Sequence, residues 1–167
     1  MSCNLAHIEA VTRKRSPLLD ELKQTKPFAS AAAEGTVALL KTADVVRRRV
    51  SGVVEPHGVT LQQYNVLRIL RGAGEGGLPT LEIGERLIEE TPGVTRLLDR
   101  LEAKGLVRRT RCPRDRRRVL CEVTKDGLAL LARMDAVVLR ADEEALGRLP
   151  RADVERLLQI LEAIRKE

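Results

Sequence analysis

Val94-Thr95-Arg96-Leu97-Leu98-Asp99-Arg100-Leu101-Glu102-Ala103-Lys104-Gly105-Leu106-Val107 is the stretch that decides how the rest of the chain reads. Val94, Leu97, Leu98 and Leu101 recur at spacings of three and four, which draws one apolar face on a helix and leaves Thr95, Arg96, Asp99 and Arg100 to water. Gly105 supplies a stop, and Pro92 is tolerated in a first turn, so the spacing predicts a helix from about Glu90–Pro92 to Lys104. Immediately upstream, Thr80 is expected to cap a short helix through Leu87 with Leu81, Ile83 and Leu87 inward. Two short helices, tightly joined and followed by Gly-Leu-Val, form the pattern of a helix-turn-helix.

Downstream, Leu106–Arg111 and Arg118–Val123 read as two strands around the polar turn Cys112-Pro113-Arg114-Asp115-Arg116-Arg117. A turn centred on Asp115 sets Cys121 opposite about Arg109 and Cys112 opposite about Arg118, so the two thiols are out of register for a disulfide. From Lys104 to Arg118 the chain holds 8 basic residues and one acid, a stripe suited to a polyanion. A recognition helix needs its first turns in the major groove, and a hairpin beside it reaches the flanking minor groove. Both parts are present.

Further out, Thr60 and Gln63 make a capping box, and Leu61, Tyr64, Leu67 and Ile69 or Leu70 give that helix an apolar face as far as Arg71. Gly72–Gly77 is too glycine-rich to hold a helix and reads as a connector. A phosphate-cradling loop is the other reading of those glycines, but no Gly-Lys-Ser/Thr follows and no strand precedes them. A long first helix is expected from Ser30 to about Val50, ended by Gly52, Pro56 and Gly58, with Val37, Leu40 and Val46 among its apolar positions. Thr124 caps a long helix with Leu128, Leu131, Met134, Val138, Ala141 and Ala145 inward. After Gly147 and Pro150, Val154, Leu157, Leu158, Leu161 and Ile164 share one face of a last helix. Before Ser30, Pro17 and Pro27 break a weakly patterned arm in which Leu18, Leu19 and Leu22 can form one amphipathic turn.

The expected fold is therefore mainly α with a small β-hairpin wing, an α+β arrangement. It divides into an N-terminal arm (1–29), a first helix (30–58), a winged helix-turn-helix head (59–123) and C-terminal helices (124–167). The terminal helices carry aliphatic stripes with few partners in so small a head, so they form a helical dimerisation region or close an intrachain bundle.

Composition narrows the function. The chain has 167 residues, enough for one domain with a core that buries roughly 68–70% of its unfolded surface. Its net charge of +6 is concentrated in Thr60–Lys125, which has 14 basic and 9 acidic residues, while Asp126–Glu167 is acidic, with 7 and 9. Aromatic residues make up 1%, too few for the stacking platforms of single-strand or RNA readers. Cys3, Cys112 and Cys121 lack metal-ligand spacing, and an odd count does not suit a secreted disulfide framework. His7 and His57 stand in no catalytic pattern, so no enzyme, catalytic residue, metal or cofactor is expected. No apolar run approaches a membrane span and no leader pattern is visible, so a cytoplasmic protein without a membrane partner is expected.

From about Glu34 to Arg165 the residues resemble the MarR family of winged helix-turn-helix transcription regulators. The resemblance lies in Val94–Val107, then Arg109, the wing residues Asp115-Arg116-Arg117, and Val123-Thr124-Lys125-Asp126-Gly127, in this order and spacing. Leu61–Leu67 is similar to the family's second helix. The resemblance implies a homodimer, triangular in outline, whose two heads read a pseudo-palindromic operator in double-stranded DNA. On the matched positions, Thr95 and Arg96 meet bases and phosphates, Arg96 by a fork to a guanine edge. The free amides near Thr91 to Gly93, on either side of Pro92, suit phosphate or thymine contacts, and Arg117 with Arg116 or Arg114 enters the minor groove, Asp115 orienting the wing. Asp99 and Arg100 are assigned structural pairing. Glu90 stands where some relatives place an acid that pairs with the residue matching Arg117. Ile88 and Glu89 depart from the family, which often has a glycine in the turn.

The expected function is a repressor released when a small-molecule effector binds the DNA-incompetent state more tightly. With so few aromatics, family pockets built on Trp do not fit, and the effector candidate is an aliphatic pocket near Tyr64. Two other readings stand beside it. One is a thiol redox sensor on the same fold, using Cys112 among Arg111 and Arg114. The other is an architectural or protein-binding winged helix without effector control.

Overall fold

Helix α1 spans Pro17–Glu21 and α2 spans Ala31–Val54 in the computed structural model, which describes residues 16–89, 93–111, 115 and 118–166. A short 3-10 turn, Glu55–His57, leads to α3 (Leu61–Ala73), β1 (Leu78–Pro79), α4 (Thr80–Glu85) and α5 (Val94–Ala103). Strands β2 (Val107–Arg111) and β3 (Val119–Val123) follow, then α6 (Lys125–Leu146) and α7 (Arg151–Arg165). Residues 1–45 and 46–167 are two separate compact units. In the first, the amphipathic turn expected at Leu18–Leu22 is α1, capped by the Ser16 hydroxyl and burying Leu19. Helix α2 runs through Gly52 instead of stopping there, because the 3-10 turn at Glu55 takes over and the left-handed residue falls at Gly58, φ 81°.

The core of the second unit forms where α3 packs against α5, α6 and the sheet. Leu67, Leu70, Ile83, Leu98, Leu101, Leu131 and Met134 are fully buried there. The capping box at Thr60 and Gln63 forms as its spacing requires: each side chain accepts the other residue's backbone N–H, at 3.1 and 3.2 Å. The helix it starts continues past Arg71 through Gly72 to Ala73, two residues into the glycine run, before Gly74 ends it.

The wing is a three-stranded antiparallel sheet in the order β1-β3-β2, not a bare hairpin. Leu78 pairs with Cys121 and Pro79 with Leu120. Two residues are too few to show alternation, and proline is acceptable on this edge because nothing there requires its missing N–H. Between β2 and β3, Arg109 faces Cys121 and Arg111 faces Val119, which is the expected register.

Two expected apolar faces hold only in part, the α6 face at Leu131, Met134, Val138 and Ala141. Thr80 is the first residue of α4 and not its cap, the cap being Pro79, so Leu81 turns outward and is 74% exposed while Ile83 is buried. In α6 the buried stripe is Gly127, Leu130, Leu131, Met134, Val138 and Ala141, and Leu128 is 42% exposed. Gly127 accounts for this shift. A Cβ at Gly127 would collide with the Leu106 carbonyl oxygen, so the bare glycine lets the first turn of α6 lie against the end of the α5–β2 connection. Thr124 fixes that corner: its hydroxyl donates to the Gly105 carbonyl at 2.7 Å and accepts from the Gly127 N–H at 3.1 Å.

Helix α7 buries none of its side chains, and α2 buries only Val54. Leu40, Leu139, Leu158 and Ile164 are all more than half exposed. No helix among the described residues is long and apolar enough to cross a membrane.

Candidate nucleic-acid interface

The first turn of α5 carries the sequence-predicted readers. Gly93 caps it in a left-handed conformation, φ 113°, and its carbonyl accepts the N–H groups of Arg96 and Leu97 at 2.9 and 3.2 Å. Among the described residues, the only non-glycine with positive φ is Lys23, so neither Ile88 nor Glu89 takes a left-handed step, while Gly93 does. Leu97, Leu98 and Leu101 bury the inner face of α5, which leaves Thr95 and Arg96 exposed. The Arg96 guanidinium has no ion-pair partner among the described residues, so its five donors are available to an incoming acceptor.

Arg109, which carries no predicted role, is the tie between wing and recognition helix. From β2 its Nη2 donates to the Asp99 carboxylate at 2.6 Å and to the Thr95 carbonyl at 3.2 Å. Its Nε lies 3.6 Å from the Glu102 carboxylate, too far for a hydrogen bond, and is buried without another acceptor. Asp99 therefore has the pairing role expected of it, whereas Arg100 has no ion-pair partner among the described residues. The β2–β3 register is the signal that points to this contact. It sets Arg109 on the face shared with buried Cys121, where a cation needs nearby carboxylates.

Other ties hold the head. Glu82 of α4 receives Arg118 from the foot of β3 at 3.5 Å and Arg86 at 3.4 Å. Lys104, just past α5, donates to the Gly58 carbonyl at 2.6 Å and to Gln63 at 3.4 Å, which fixes the end of α5 to the entry of α3. Arg47 lies 3.9 Å from Glu89 in the turn before α5. At the wing tip, Asp115 is exposed and its carbonyl accepts the Arg118 N–H at 2.9 Å.

Thr91, Pro92, Arg114, Arg116 and Arg117 lie outside the described residues, as do Glu90, Cys3 and Cys112. The proposed Glu90–Arg117 pair and a redox role for Cys112 therefore find no described geometry. Cys121 is fully buried, and burial pushes its thiol above the ordinary value, against smaller opposing effects of Thr80 and Arg109. Tyr64 is also buried, with the Arg68 guanidinium 5.8 Å from its ring centre, and burial raises its hydroxyl pKa. No group of three or more metal-ligating side chains occurs among the described residues.

A two-helix reader braced by a three-stranded wing defines a winged helix-turn-helix protein. The family model of the MarR family matches residues 57–118, from the end of the 3-10 turn to the foot of β3. A MarR transcription factor from Planctomyces limnophilus is 35% identical in its crystal structure, which covers 82% of this chain and 99% of that one with a TM-score of 0.63. The homoprotocatechuate degradative operon repressor of Escherichia coli is 28% identical over 127 residues, 76% of this chain and 84% of the relative. CouR from Rhodococcus jostii RHA1, solved bound to p-coumaroyl-CoA, is 25% identical with a TM-score of 0.68, covering 82% of this chain and 95% of that one. The chain belongs to the MarR family and is a transcriptional regulator.

Proposed function

We infer that this regulator is a dimeric repressor that occupies a pseudo-palindromic operator and leaves it when a small molecule binds. The observation that carries the DNA reading is the pairing of an exposed Arg96, without an ion-pair partner among the described residues, with a Thr95 whose backbone Arg109 fastens to the wing. A fork of donors on a helix held against its neighbours can read a guanine edge, because its position is set before DNA arrives. Thr95 and the amides near Thr91 and Gly93, on either side of Pro92, take phosphates or a thymine edge. Arg117, with Arg116 or Arg114, supplies the minor-groove contacts, and Asp115 orients the wing.

The exposed stripes of α2, α6 and α7 support a dimer, since apolar faces of that length need a partner. Residues 30–58 and 124–167 then form the dimerisation region, and 59–123 form the head. Repression is supported by the homoprotocatechuate repressor, and ligand control by the acyl-CoA-bound CouR. The effector need only favour the state whose heads are wrongly spaced. No catalytic residue takes part, and the protein works in the cytoplasm.

Selection of genomic fragments by the purified protein, followed by footprinting, tests this reading. Two protected half-sites about 10 bp apart, centre to centre, are expected. Protection of a single site, or equal affinity for scrambled duplex, would refute it.

A further inference from the structure

A groove of about 420 Å³ opens where the end of α3, the loop Gly74–Gly77, the two long wing strands and the first turn of α6 meet. That volume lies within the range of small-molecule sites, roughly 300–1,000 Å³. Leu70, Val123 and Leu128 provide its apolar lining, and Leu128 is the leucine that departs from the buried stripe of α6. Tyr64 does not line it.

Charge decides what the groove can hold. Its two cations are already neutralised within the chain: Arg71 Nη1 donates to both carboxylate oxygens of Asp135, at 3.0 and 2.9 Å, and Arg108 donates to Glu122. Glu75, exposed at the rim, has neither hydrogen bond nor ion pair from its side chain among the described residues. After the pairs cancel, one negative charge remains beside an apolar lining, in a chain whose net charge is +6. An anionic ligand would have to displace an internal carboxylate from a charge-assisted hydrogen bond, whereas a cation finds an open partner.

We propose that this groove binds a small organic amine, its ammonium paired with Glu75 and its hydrocarbon body against Leu70, Val123 and Leu128. The loop that carries Glu75 is fastened to the wing at Gly77, φ 68°, where a Cβ would lie 2.6 Å from the Cys121 carbonyl oxygen. An occupant therefore touches α3, α6 and the wing strands together. Occupancy of the groove does not depend on the operator reading, and its test measures the ligand directly.

The experiment titrates the isotope-labelled full chain with phenethylammonium, phenethyl alcohol and hydrocinnamate, following backbone amide resonances. Saturable shifts at Gly74, Gly76 and Val123 are expected, with the amine roughly tenfold tighter than the alcohol and the carboxylate weakest. Glu75→Gln, at an exposed loop position, should bring the amine down to the alcohol's affinity, and Leu128→Ser should weaken both. Equal affinity of amine and alcohol for the wild type, tighter binding of the carboxylate, or no saturable shift at these residues would overturn the proposal. So would an unchanged amine preference in Glu75→Gln, or shifts centred on Tyr64.

Discussion

Arg96 and Arg109 lie on adjoining elements and are expected to fail differently when mutated. Arg96 has no ion-pair partner among the described residues, so Arg96→Ala should leave thermal stability unchanged, cost roughly 1–3 kcal/mol of operator binding and erase the preference for one base pair. Competition gel shifts with single-base operator variants measure it, and an unaltered preference would remove Arg96 from the reading surface. Arg109 is tied to Asp99 and the Thr95 carbonyl, so Arg109→Ala should lower both stability and affinity. Asp99 is about half exposed, which limits the stability part to about 1 kcal/mol. Arg109→Lys keeps the charge on a side chain that ends one atom short of the Nη2 that meets both acceptors, so denaturant melts and gel shifts should place it between wild type and Arg109→Ala. Cys121 makes a third case. Its thiol pKa is raised in the folded state, so the unfolded chain loses that proton first and stability falls as pH rises through the ordinary thiol value, ~8.5. In a Cys3→Ser, Cys112→Ser background, a thiol reagent should label Cys121 only at the rate of unfolding. Prompt labelling of folded protein would show that the β3 face opens to solvent.

At the scale of elements, the sequence made legible what is local and periodic. Thr60 with Gln63 and Thr124 with Gly127 are short-range caps, and both formed where the spacing set them. The face of α5 and the β2–β3 register were also readable, the register because a turn centre fixes every pair on both strands. Contacts with distant segments were not. Leu78–Pro79 is too short to have a pattern, and it becomes a strand only because β3 offers an edge. Leu128 fits the helical period as well as Gly127 does. Only the close approach of the Leu106 carbonyl shows that the glycine must face inward. Gly127→Ala should therefore destabilise the head by about 1–3 kcal/mol in denaturant melts, even though alanine favours helices, because the added carbon meets backbone and not a mobile side chain. A neutral or stabilising result would mean that the α6 corner relaxes freely. In the candidate site, Thr95 and Arg96 were readable from the exposed face of one helix, while the Arg109 tie needs two elements to meet. The wing tip calls for a different mutant signature. Arg117→Ala should weaken operator and unrelated duplex alike and reduce the salt slope by about one, since a minor-groove cation contributes mostly charge.

At the scale of the whole molecule, the winged head has its core within one chain, while α7 buries none of its side chains. The head buries Leu67, Leu70, Leu98 and Leu101, yet Leu158 and Ile164 of α7 remain more than half exposed. In the proposed dimer these positions are covered, so Ile164→Glu should leave the helical circular dichroism intact but lower the sedimenting mass toward that of one 18.5 kDa chain. Operator affinity should fall with it, because the second head then binds as a separate molecule and not at the high effective concentration supplied by a shared frame. Changing the DNA in place of the protein should give the same loss. Inserting about 5 bp between the half-sites turns one of them to the far face of the duplex, since one helical turn is about 10 bp. Wild-type protein on that operator and Ile164→Glu protein on the native one should then bind with similar, single-head affinity. Adding the insertion to the variant should cost nothing further. That non-additivity separates loss of dimerisation from damage to the reading surface: a variant that loses affinity yet still responds to the insertion is a dimer with faulty heads. A wild type that sediments as a monomer at micromolar concentration and binds both operators equally would overturn the two-headed model.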